Sequence, residues 1–388
     1  MNKKDIKRNF WMLKGSLAKK GYDWWWHSFT GVEEKTGKER TFFIEYFTIN
    51  PVLAKVNGGE EPILGQEPFN RERKFMPSHV MVKCGWWGKD AVQLNKFLPW
   101  KDVKIENDKD KGFSVSSGDF FCSEEMLTGS VEISQEDAEN HPEWMCGSGS
   151  MTWNLTVEKD IAFNVGYGAS AFFRATNAFE MYWHAQGMKT RYSGTVIANG
   201  KKYQITKINS FGYADKNWGK NFTSPWVWLS SNDLTSKITN KKLDNSVFDI
   251  GGGKPKLFGI SFDKKLLSEF YYEGKSYEFN FSKFWTLCRT KFNCSQTDKQ
   301  VVWKVRQETL RYVMETEITC NKDEMLFINY ESPDGEKRHK NLFNGGTGEG
   351  TVKLYRKGIK LENKLPKKNL ILIDEIEAKH VGCEFGEY

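Results

Sequence analysis

Alternation of apolar and polar residues along most of the chain constrains the fold more than any other feature. Twelve segments show this two-residue period: 24–29, 40–50, 79–84, 151–157, 179–188, 191–198, 202–206, 226–230, 277–281, 301–305, 325–330 and 350–355. Because successive side chains of a strand point to opposite faces of a sheet, these segments predict strands. Helical periods are scarce, and we expect only two short helices, at 89–97 and 263–270. The predicted class is therefore all-β with little helix.

A weak internal repeat indicates how these strands are divided. Residues 21–29 (GYDWWWHSF) resemble residues 224–231 (SPWVWLSS), about half a chain later. We expect each segment to be the first strand of its own barrel. The boundary is placed at residue 212, which divides the chain into domains 1–212 and 213–388. No proline-rich linker marks this boundary, and we therefore expect the two units to pack closely together.

Composition and charge exclude several classes of protein. Aromatic residues make up 15% of the 388 residues, which argues against disorder. The net charge of +7 is small and lysines lie beside acidic residues, so we expect no nucleic-acid partner. No apolar run approaches the ~20 residues of a membrane-spanning helix. The seven cysteines are scattered and away from the histidines, and the apolar stretch Phe10–Leu13 is too short for a signal peptide. We therefore expect a cytoplasmic protein without a metal site.

Glu45 is the first candidate for acid–base chemistry. In the predicted strand 40–50 it shares a face with Phe43, Phe47 and Ile49. Burial among these side chains would favour the neutral acid and make Glu45 a candidate proton donor. The alternative is that Glu45 pairs with a basic residue on a neighbouring strand, as buried acids usually do.

A second predicted strand carries a row of polar side chains. Glu180, Tyr182, His184 and Gln186 share one face of the segment 179–188. They could line a cavity in which His184 or Glu180 moves a proton, or they could face solvent. The other candidate histidine, His27, shares a face with Asp23, Trp25 and Phe29, and there a structural role is the stronger expectation.

The segment 211–229 (FGYADKNWGKNFTSPWVWL) combines polar residues with a tryptophan-rich strand. Asp215 and Asn217 are residue types that bond local backbone in turns, and Gly219 permits a left-handed bend. The residues alone therefore predict a polar turn at 215–219 that leads into a strand with Trp226 and Trp228.

The same segment resembles the signature of the tocopherol cyclase family. The matching residues are Gly212-Tyr-x-Asp-Lys-Asn-Trp-Gly-x-x-Phe222 and Ser224-Pro-Trp-x-Trp228. Further matches are Met181-Tyr-Trp-His184, Ser193-Gly-Thr-Val196 and Asn344-Gly-Gly-Thr-Gly348. The chain departs from the family at Asp215, where Glu or His is commoner, and in the unusual run Trp24-Trp25-Trp26.

This resemblance implies two lipocalin-like β-barrel units with a ligand cavity at or near their junction. It also implies relatives by fold among carotenoid 1,2-hydratases and lipocalin-like Diels–Alder cyclases. The function it implies is a cyclase, isomerase or hydratase that acts without cofactor on a hydrophobic isoprenoid-like or polyketide-like molecule. The alternative is a non-catalytic intracellular carrier of a lipophilic ligand, because the same barrel fold occurs in enzymes and in carriers. In either case, transient contact with a membrane could supply the ligand.

The residues and the resemblance together predict the site. The candidate catalytic residues, in order, are His184, Asp215 and Glu45. The candidate ligand-binding residues are Trp25, His27, Tyr182, Gln186, Asn217, Trp218, Trp226 and Trp228. Tryptophan faces of this kind can stabilise a developing carbocation by cation–π attraction.

Overall fold

The first half of the chain forms one large antiparallel sheet. The computed structural model describes residues 6–163, 176, 178–257, 260–261, 265–281, 283–336, 342–362 and 365–387. This first sheet has twelve strands: β1 Tyr22–Glu33, β2 Glu39–Ile49, β3 His79–Trp86, β4 Val92–Leu98, β5 Lys104–Asp108, β6 Gly112–Ser117, β7 Phe120–Ser123, β8 Met126–Ile133, β9 Gly149–Phe163, β10 Met181–Ala198, β11 Lys201–Ile205 and β12 Gly212–Gly219. The strand order is β4-β3-β2-β1-β11-β10-β9-β8-β7-β6-β5, and β12 pairs with β1 and β10.

The second half forms an antiparallel sheet of eleven strands and a small two-stranded ribbon. The strands are β13 Trp226–Ser231, β14 Asp233–Ser236, β15 Val247–Gly253, β16 Lys256–Leu257, β17 Ile260–Ser261, β18 Lys265–Tyr272, β19 Lys275–Asn280, β20 Arg289–Gln296, β21 Gln300–Glu308, β22 Tyr312–Asn321, β23 Leu326–Phe327, β24 Phe343–Glu362 and β25 Leu365–Gly386. The order of the sheet is β19-β18-β15-β13-β25-β24-β22-β21-β20; β14 pairs with β25, β23 with β24, and β16 with β17 in the ribbon.

Helix is scarce among the described residues, but the two predicted helices are wrong. The segment 89–97 contributes to β4, and the described part of 263–270 belongs to β18. Short apolar spacings fit both helix and strand, and pairing with a neighbouring strand decides between them. The helices that form are α1 Ser16–Lys19, α2 Pro51–Val56, α3 Pro68–Arg73 and α4 Gln135–Asn140. Single 3-10 turns lie at Trp100–Asp102, Pro142–Trp144, Phe284–Thr286 and Lys322–Glu324.

Three groups of buried apolar side chains show how the two sheets are arranged. One group fills the inside of the first sheet, where β4 also packs against β8 and β9, and a second fills the inside of the second sheet. The third group draws side chains from both sheets and lies between them. The structure therefore consists of two packed lipocalin-like β-barrel units, which confirms the predicted fold class.

The chain passes from one sheet to the other between Gly219 and Trp226. Strand β12 pairs with β1 and β10 of the first sheet, whereas β13 pairs with β15 and β25 of the second. β12 thus belongs to the first sheet although it follows residue 212. The division into domains 1–212 and 213–388 stays a prediction, and we propose the change of sheet near residue 220 as the better place to divide the chain.

Candidate active site

A layer of tryptophans fills the junction between the two units. Trp24 and Trp26 of β1 belong to the buried group between the sheets, whereas Trp25, between them, belongs to the group inside the first barrel. The strand period of two produces this division. Trp226 and Trp228 of β13 reach the same junction from the second sheet. The unusual Trp24-Trp25-Trp26 run therefore supplies aromatic rings to both faces of the first sheet.

Two carboxylic acids lie in a row across the first sheet beside Trp26. Asp215 of β12 is directly opposite Trp26, and Glu45 of β2 is opposite it on the other side. Lys83 of β3 comes next, opposite Glu45. Residues directly opposite in antiparallel strands carry side chains on the same face, so the row presents both acids and Lys83 to the junction.

A matching row comes from the second sheet. Glu384 of β25 lies opposite Trp228 of β13 on one side and opposite Asn344 of β24 on the other. The Trp228 ring lies so close to Gly382 that a Cβ there would overlap it, and a Cβ at Gly251 would overlap the Trp183 ring in the same way. These two glycines therefore provide the space in which the indole rings pack at the junction.

The two rows enclose a cavity of about 20 Å³. Its lining consists of Trp24, Trp26, Asp215, Trp226, Trp228, Tyr330, Asn344 and Glu384. This volume accommodates roughly one water-sized group. Of these eight described residues, Tyr330 alone lies outside a strand, and its ring stacks on Trp24 at 5.3 Å between centroids. A larger ligand therefore requires movement of the walls, and the segment that carries Tyr330 is the wall least held by strand pairing.

Asp215 has the environment of a proton donor. Its Oδ2 accepts a hydrogen bond of 2.9 Å from Nε1 of Trp183 and a longer one of 3.4 Å from the Tyr213 hydroxyl. Burial raises the pKa of Asp215 to about 8, and the nearby Glu384 carboxylate acts in the same direction. The Trp183 hydrogen bond opposes this shift but does not overcome it. Asp215 therefore holds its proton at neutral pH.

Glu384 lines the same cavity, but the groups that shift its pKa are different. Trp226 donates a hydrogen bond of 2.7 Å from Nε1 to its Oε2. Burial raises the pKa of Glu384 to about 7, while the hydrogen bond from Trp226 and the charge of Lys83 oppose the shift. Near neutral pH this group exchanges its proton readily, so it can accept or return one.

Glu45 is paired, which is the alternative that the sequence left open. Lys83 Nζ lies 2.8 Å from Glu45 Oε2, and both side chains are fully buried. Burial raises the pKa of Glu45 and the Lys83 charge opposes this, while the same ammonium lies 3.7 Å from the centre of the Tyr330 ring. Glu45 does not line the cavity, but its ion pair lies directly behind Tyr330.

His184 lies on the other face of the first sheet. It is opposite Lys216 across β10 and β12, one residue out of phase with Asp215 and therefore on the opposite face. Burial lowers the pKa of His184 to about 3, and the charges of Arg8 and Lys159 add to this effect. The imidazole is therefore neutral at ordinary pH and does not reach the junction cavity.

Several candidate ligand-binding residues share that inner face. Trp25 stacks on Phe113 with 4.8 Å between ring centroids, and His27 Nδ1 lies 2.8 Å from the Tyr192 hydroxyl. Gln186 donates to the Asp215 backbone carbonyl at 2.7 Å, and Tyr182 stacks on Trp218 at 5.5 Å. Asn217 is on the junction face, where its Oδ1 accepts a hydrogen bond of 2.9 Å from the Tyr22 hydroxyl. Trp226 and Trp228 line the cavity.

The turn predicted at 215–219 is wrong, because these residues are the second half of strand β12. Each polar side chain has a buried partner: Trp183 for Asp215, Asp23 for Lys216 and Tyr22 for Asn217. These contacts outweigh the turn preference of the residue types. Gly219 does not have a positive φ; a Cβ there would overlap the Glu180 carbonyl, so close backbone approach explains the glycine.

Sequence reasoning missed Glu384, Tyr330, Lys83 and the cavity role of Trp24 and Trp26. Glu384 had one usable signal, because Gly382, Glu384 and Gly386 alternate on one face and leave room for large rings beside an acid. No sequence signal identified Tyr330. The strand predicted at 325–330 is wrong in extent, because only Leu326–Phe327 forms a strand and Tyr330 lies beyond it.

Fold and site together define a class: two lipocalin-like barrels with a tryptophan-lined cavity between them that contains carboxylic acids. The chain belongs to the family described as Tocopherol cyclase-like, whose pattern it matches over residues 26–386. The curated proteins contain no match to it. Among the described residues, no helix is long and apolar enough to cross a membrane, and no three His, Cys, Asp or Glu side chains are grouped as a metal site.

Solved structures of similar shape have little sequence in common with this chain. A protein described as an AttH from Nitrosomonas europaea is 11% identical with a TM-score of 0.44, covering 92% of both chains. Kievitone hydratase from Nectria haematococca is 10% identical with a TM-score of 0.45, covering 94% of this chain and 88% of its own. CghA, crystallised with Sch210972, is 9% identical with a TM-score of 0.45, covering 95% and 89%. At such values, a neighbour's activity says nothing about the activity of this chain.

Proposed function

We propose that the chain is a cofactor-independent cyclase, isomerase or hydratase of a hydrophobic isoprenoid-like or polyketide-like molecule, with Asp215 as its proton donor. The observation that carries this proposal is an aspartic acid in an aromatic cavity with a pKa raised to about 8. A buried acid that keeps its proton near neutral pH can protonate a carbon–carbon double bond.

The reaction follows from the groups around the cavity. Asp215 transfers its proton to one carbon of the double bond, which leaves an aspartate and a carbocation on the other carbon. The faces of Trp24, Trp26, Trp226 and Trp228 attract that positive charge. The cation is then captured by a substrate hydroxyl or by water, or it loses a neighbouring proton. Capture by a second double bond of the substrate forms a new cation, which ends in one of the same ways. Glu384, with a pKa near 7, accepts the proton that capture or loss releases.

Glu45 and Lys83 have a supporting role in this scheme. Their ion pair lies behind Tyr330 and keeps the Glu45 carboxylate occupied by the ammonium. Among the described residues, no ion pair reaches Asp215, so Asp215 rather than Glu45 is the acid with a proton to give. Asp215 is therefore the first candidate for the proton donor, ahead of His184, which lies on the opposite face of the sheet.

The test has two parts, since the substrate must first be identified. Native mass spectrometry of the purified protein would reveal a co-purified ligand, which then serves as substrate. Asp215→Asn keeps the size of the side chain and an oxygen for the Trp183 N–H, but removes the proton. We expect turnover to fall by about 10²–10⁴-fold with ligand affinity nearly unchanged. Glu158→Gln, at an exposed acid on β9, is the matched control and should leave turnover unchanged.

Infrared spectroscopy tests the protonation state without any substrate. Wild type minus Asp215→Asn should show the band of a protonated carboxyl at neutral pH, with a midpoint near pH 8. A carboxylate band in its place would contradict the proposal. Tight ligand binding without conversion by the wild type would favour the carrier instead. Cytoplasmic location and the membrane as source of the ligand stay predictions.

A further inference from the structure

The hairpin formed by β24 and β25 extends well beyond the strands beside it. β22 pairs with β24 as far as Arg356, and β14 pairs with β25 from Ile376 onward. The Lys357 N–H still bonds the Arg311 carbonyl at 2.7 Å. Beyond it, the described residues of the two strands pair with each other, as Gly358 does with Asn369. A two-stranded ribbon without a covering layer is marginally stable in water. The hairpin is therefore longer than the barrel requires.

Apolar side chains are exposed on both faces of this ribbon. Ile359 is 77% exposed, and Leu370, Ile371 and Leu372 are each about 40% exposed. These last three are consecutive, so they point alternately to the two faces. A protein that docks on one face would leave the other face uncovered. A lipid layer into which the ribbon inserts would cover both faces.

A concave surface at the base of the ribbon continues this apolar area. It encloses about 660 Å³, and its apolar lining comes from Leu287, Leu310, Ile359 and Leu370. Leu287 and Leu310 are both more than 60% exposed. We refer to these four residues, with Ile371 and Leu372, as the hairpin patch.

The charge around the hairpin patch is strongly positive. Residues 353–373 contain six lysines and one arginine but a single acidic residue, Glu362. Arg289, Arg306 and Lys357 also line the concave surface, together with one acidic residue, Glu308, which pairs with Lys357 at 3.2 Å. Arg289 and Arg356 are exposed. Exposed apolar side chains surrounded by basic ones match a bilayer surface, where acyl chains take up the former and anionic headgroups attract the latter.

We propose that the hairpin patch docks the protein on the surface of an anionic lipid bilayer. The patch is far from the junction cavity: from Asn344 to Ile359 along β24 is roughly 50 Å at about 3.3 Å per residue. Docking therefore holds the protein at the membrane without placing the cavity on lipid. This inference stands apart from the proposed function, because membrane binding and turnover are separate measurements.

Vesicle co-sedimentation of the full chain tests the proposal. Wild type should bind vesicles of phosphatidylcholine mixed with phosphatidylglycerol, bind pure phosphatidylcholine weakly, and lose binding at high salt. The double variant Ile359→Ser with Leu370→Ser should bind the anionic vesicles at least ~10-fold more weakly, because it removes apolar groups that enter the bilayer. Arg356→Gln should weaken binding about 5-fold.

The matched control is the double variant Val56→Ser with Ile208→Ser, whose side chains are at least as exposed as those of Ile359 and Leu370 but lie outside the patch. It should bind like wild type. Failure of wild type to bind anionic vesicles at low salt would overturn the proposal, and so would equal losses in the patch and control variants. Sedimentation velocity supplies the remaining outcome: a wild-type dimer that Ile359→Ser with Leu370→Ser abolishes would assign the patch to a second copy of this chain.

Discussion

Asp215 and Lys216 are neighbours on β12, but their side chains lie on opposite faces of the sheet and have different partners. Lys216 points into the first barrel, where it forms a fully buried ion pair with Asp23 and lies 4.0 Å from the centre of the Trp25 ring. Asp215 points to the junction, where its hydrogen-bond donors are the neutral groups of Trp183 and Tyr213. On the inner face Lys216 thus pairs with Asp23, whereas on the junction face the buried cation Lys83 pairs with Glu45 and, among the described residues, no ion pair reaches Asp215.

This difference gives the carboxyl groups of Asp23 and Asp215 different pKa values. Burial raises the pKa of Asp23 only to about 6, because the Lys216 charge and hydrogen bond oppose it. Burial raises the pKa of Asp215 to about 8, since the hydrogen bonds from the indole groups of Trp183 and Trp24 oppose it less. A pair that neutralises itself holds strands together, whereas an acid that keeps a transferable proton beside a cavity is suited to chemistry.

The largest expected effect comes from breaking the pair on the inner face. Lys216→Met leaves Asp23 buried without its cation, and we expect the free energy of unfolding to fall by about 3–5 kcal/mol. Chemical denaturation measures this change. Lys207→Met is the control, because its pair with Glu158 is exposed and should contribute at most ~1 kcal/mol. Equal losses in both variants would remove the structural role assigned to the inner pair.

A smaller change, expressed per pH unit, is expected from the pH dependence of the junction face. The native state holds the Asp215 proton up to about pH 8, whereas the unfolded chain releases it near the ordinary aspartate pKa of 3.8. The stability that this proton contributes is therefore complete below about pH 4 and lost as the pH rises through about 8. Between these values the free energy of unfolding of wild type should fall relative to Asp215→Asn by about 1 kcal/mol per pH unit.

Denaturation curves of the two proteins across this pH range give the measurement. Glu331, with a pKa of about 8, acts in the same direction in both proteins and cancels in the difference. The Glu384 charge contributes to the raised pKa of Asp215 and is therefore part of the measured difference. Parallel pH curves for wild type and Asp215→Asn would show that Asp215 is ionised in the native state. The comparison between the two faces of β12 would then fail.

The alternation of residues predicted which side chains share a face, but not what lies opposite them. It placed Glu45 with Phe43 and Phe47, and the structure has them on one face at the junction. It could not identify Lys83 as the partner of Glu45, because that depends on the register between β2 and β3. The alternation of Gly382, Glu384 and Gly386 was a usable signal for an acid beside large rings, but the position of Glu384 at the junction depends on the register of β25 with β13 and β24.

Residue type misled the prediction where tertiary contacts are strongest. Asp215 and Asn217 are residue types common in turns. The partners of residues 215–217 on other strands favour the strand β12 instead. The alternation of residues between the two faces of β12 was not predicted either, because the sequence predicts a turn in this segment and not a strand. The family resemblance supplied Asp215 as an acidic position, whereas the reason for its raised pKa is the folded junction.

The smallest effect is expected at His184, the first candidate from sequence. Its pKa near 3 leaves it neutral, and it shares the inner face with Lys216 rather than the junction with Asp215. His184→Phe should therefore keep turnover within about threefold and change the free energy of unfolding by less than about 1.5 kcal/mol. NMR titration of the imidazole should show no protonation between pH 5 and 8. Loss of turnover in His184→Phe, together with full activity in Asp215→Asn, would contradict this prediction. The reaction would then take place inside the first barrel, and the buried Asp23–Lys216 pair would have to be reconsidered as part of the active site.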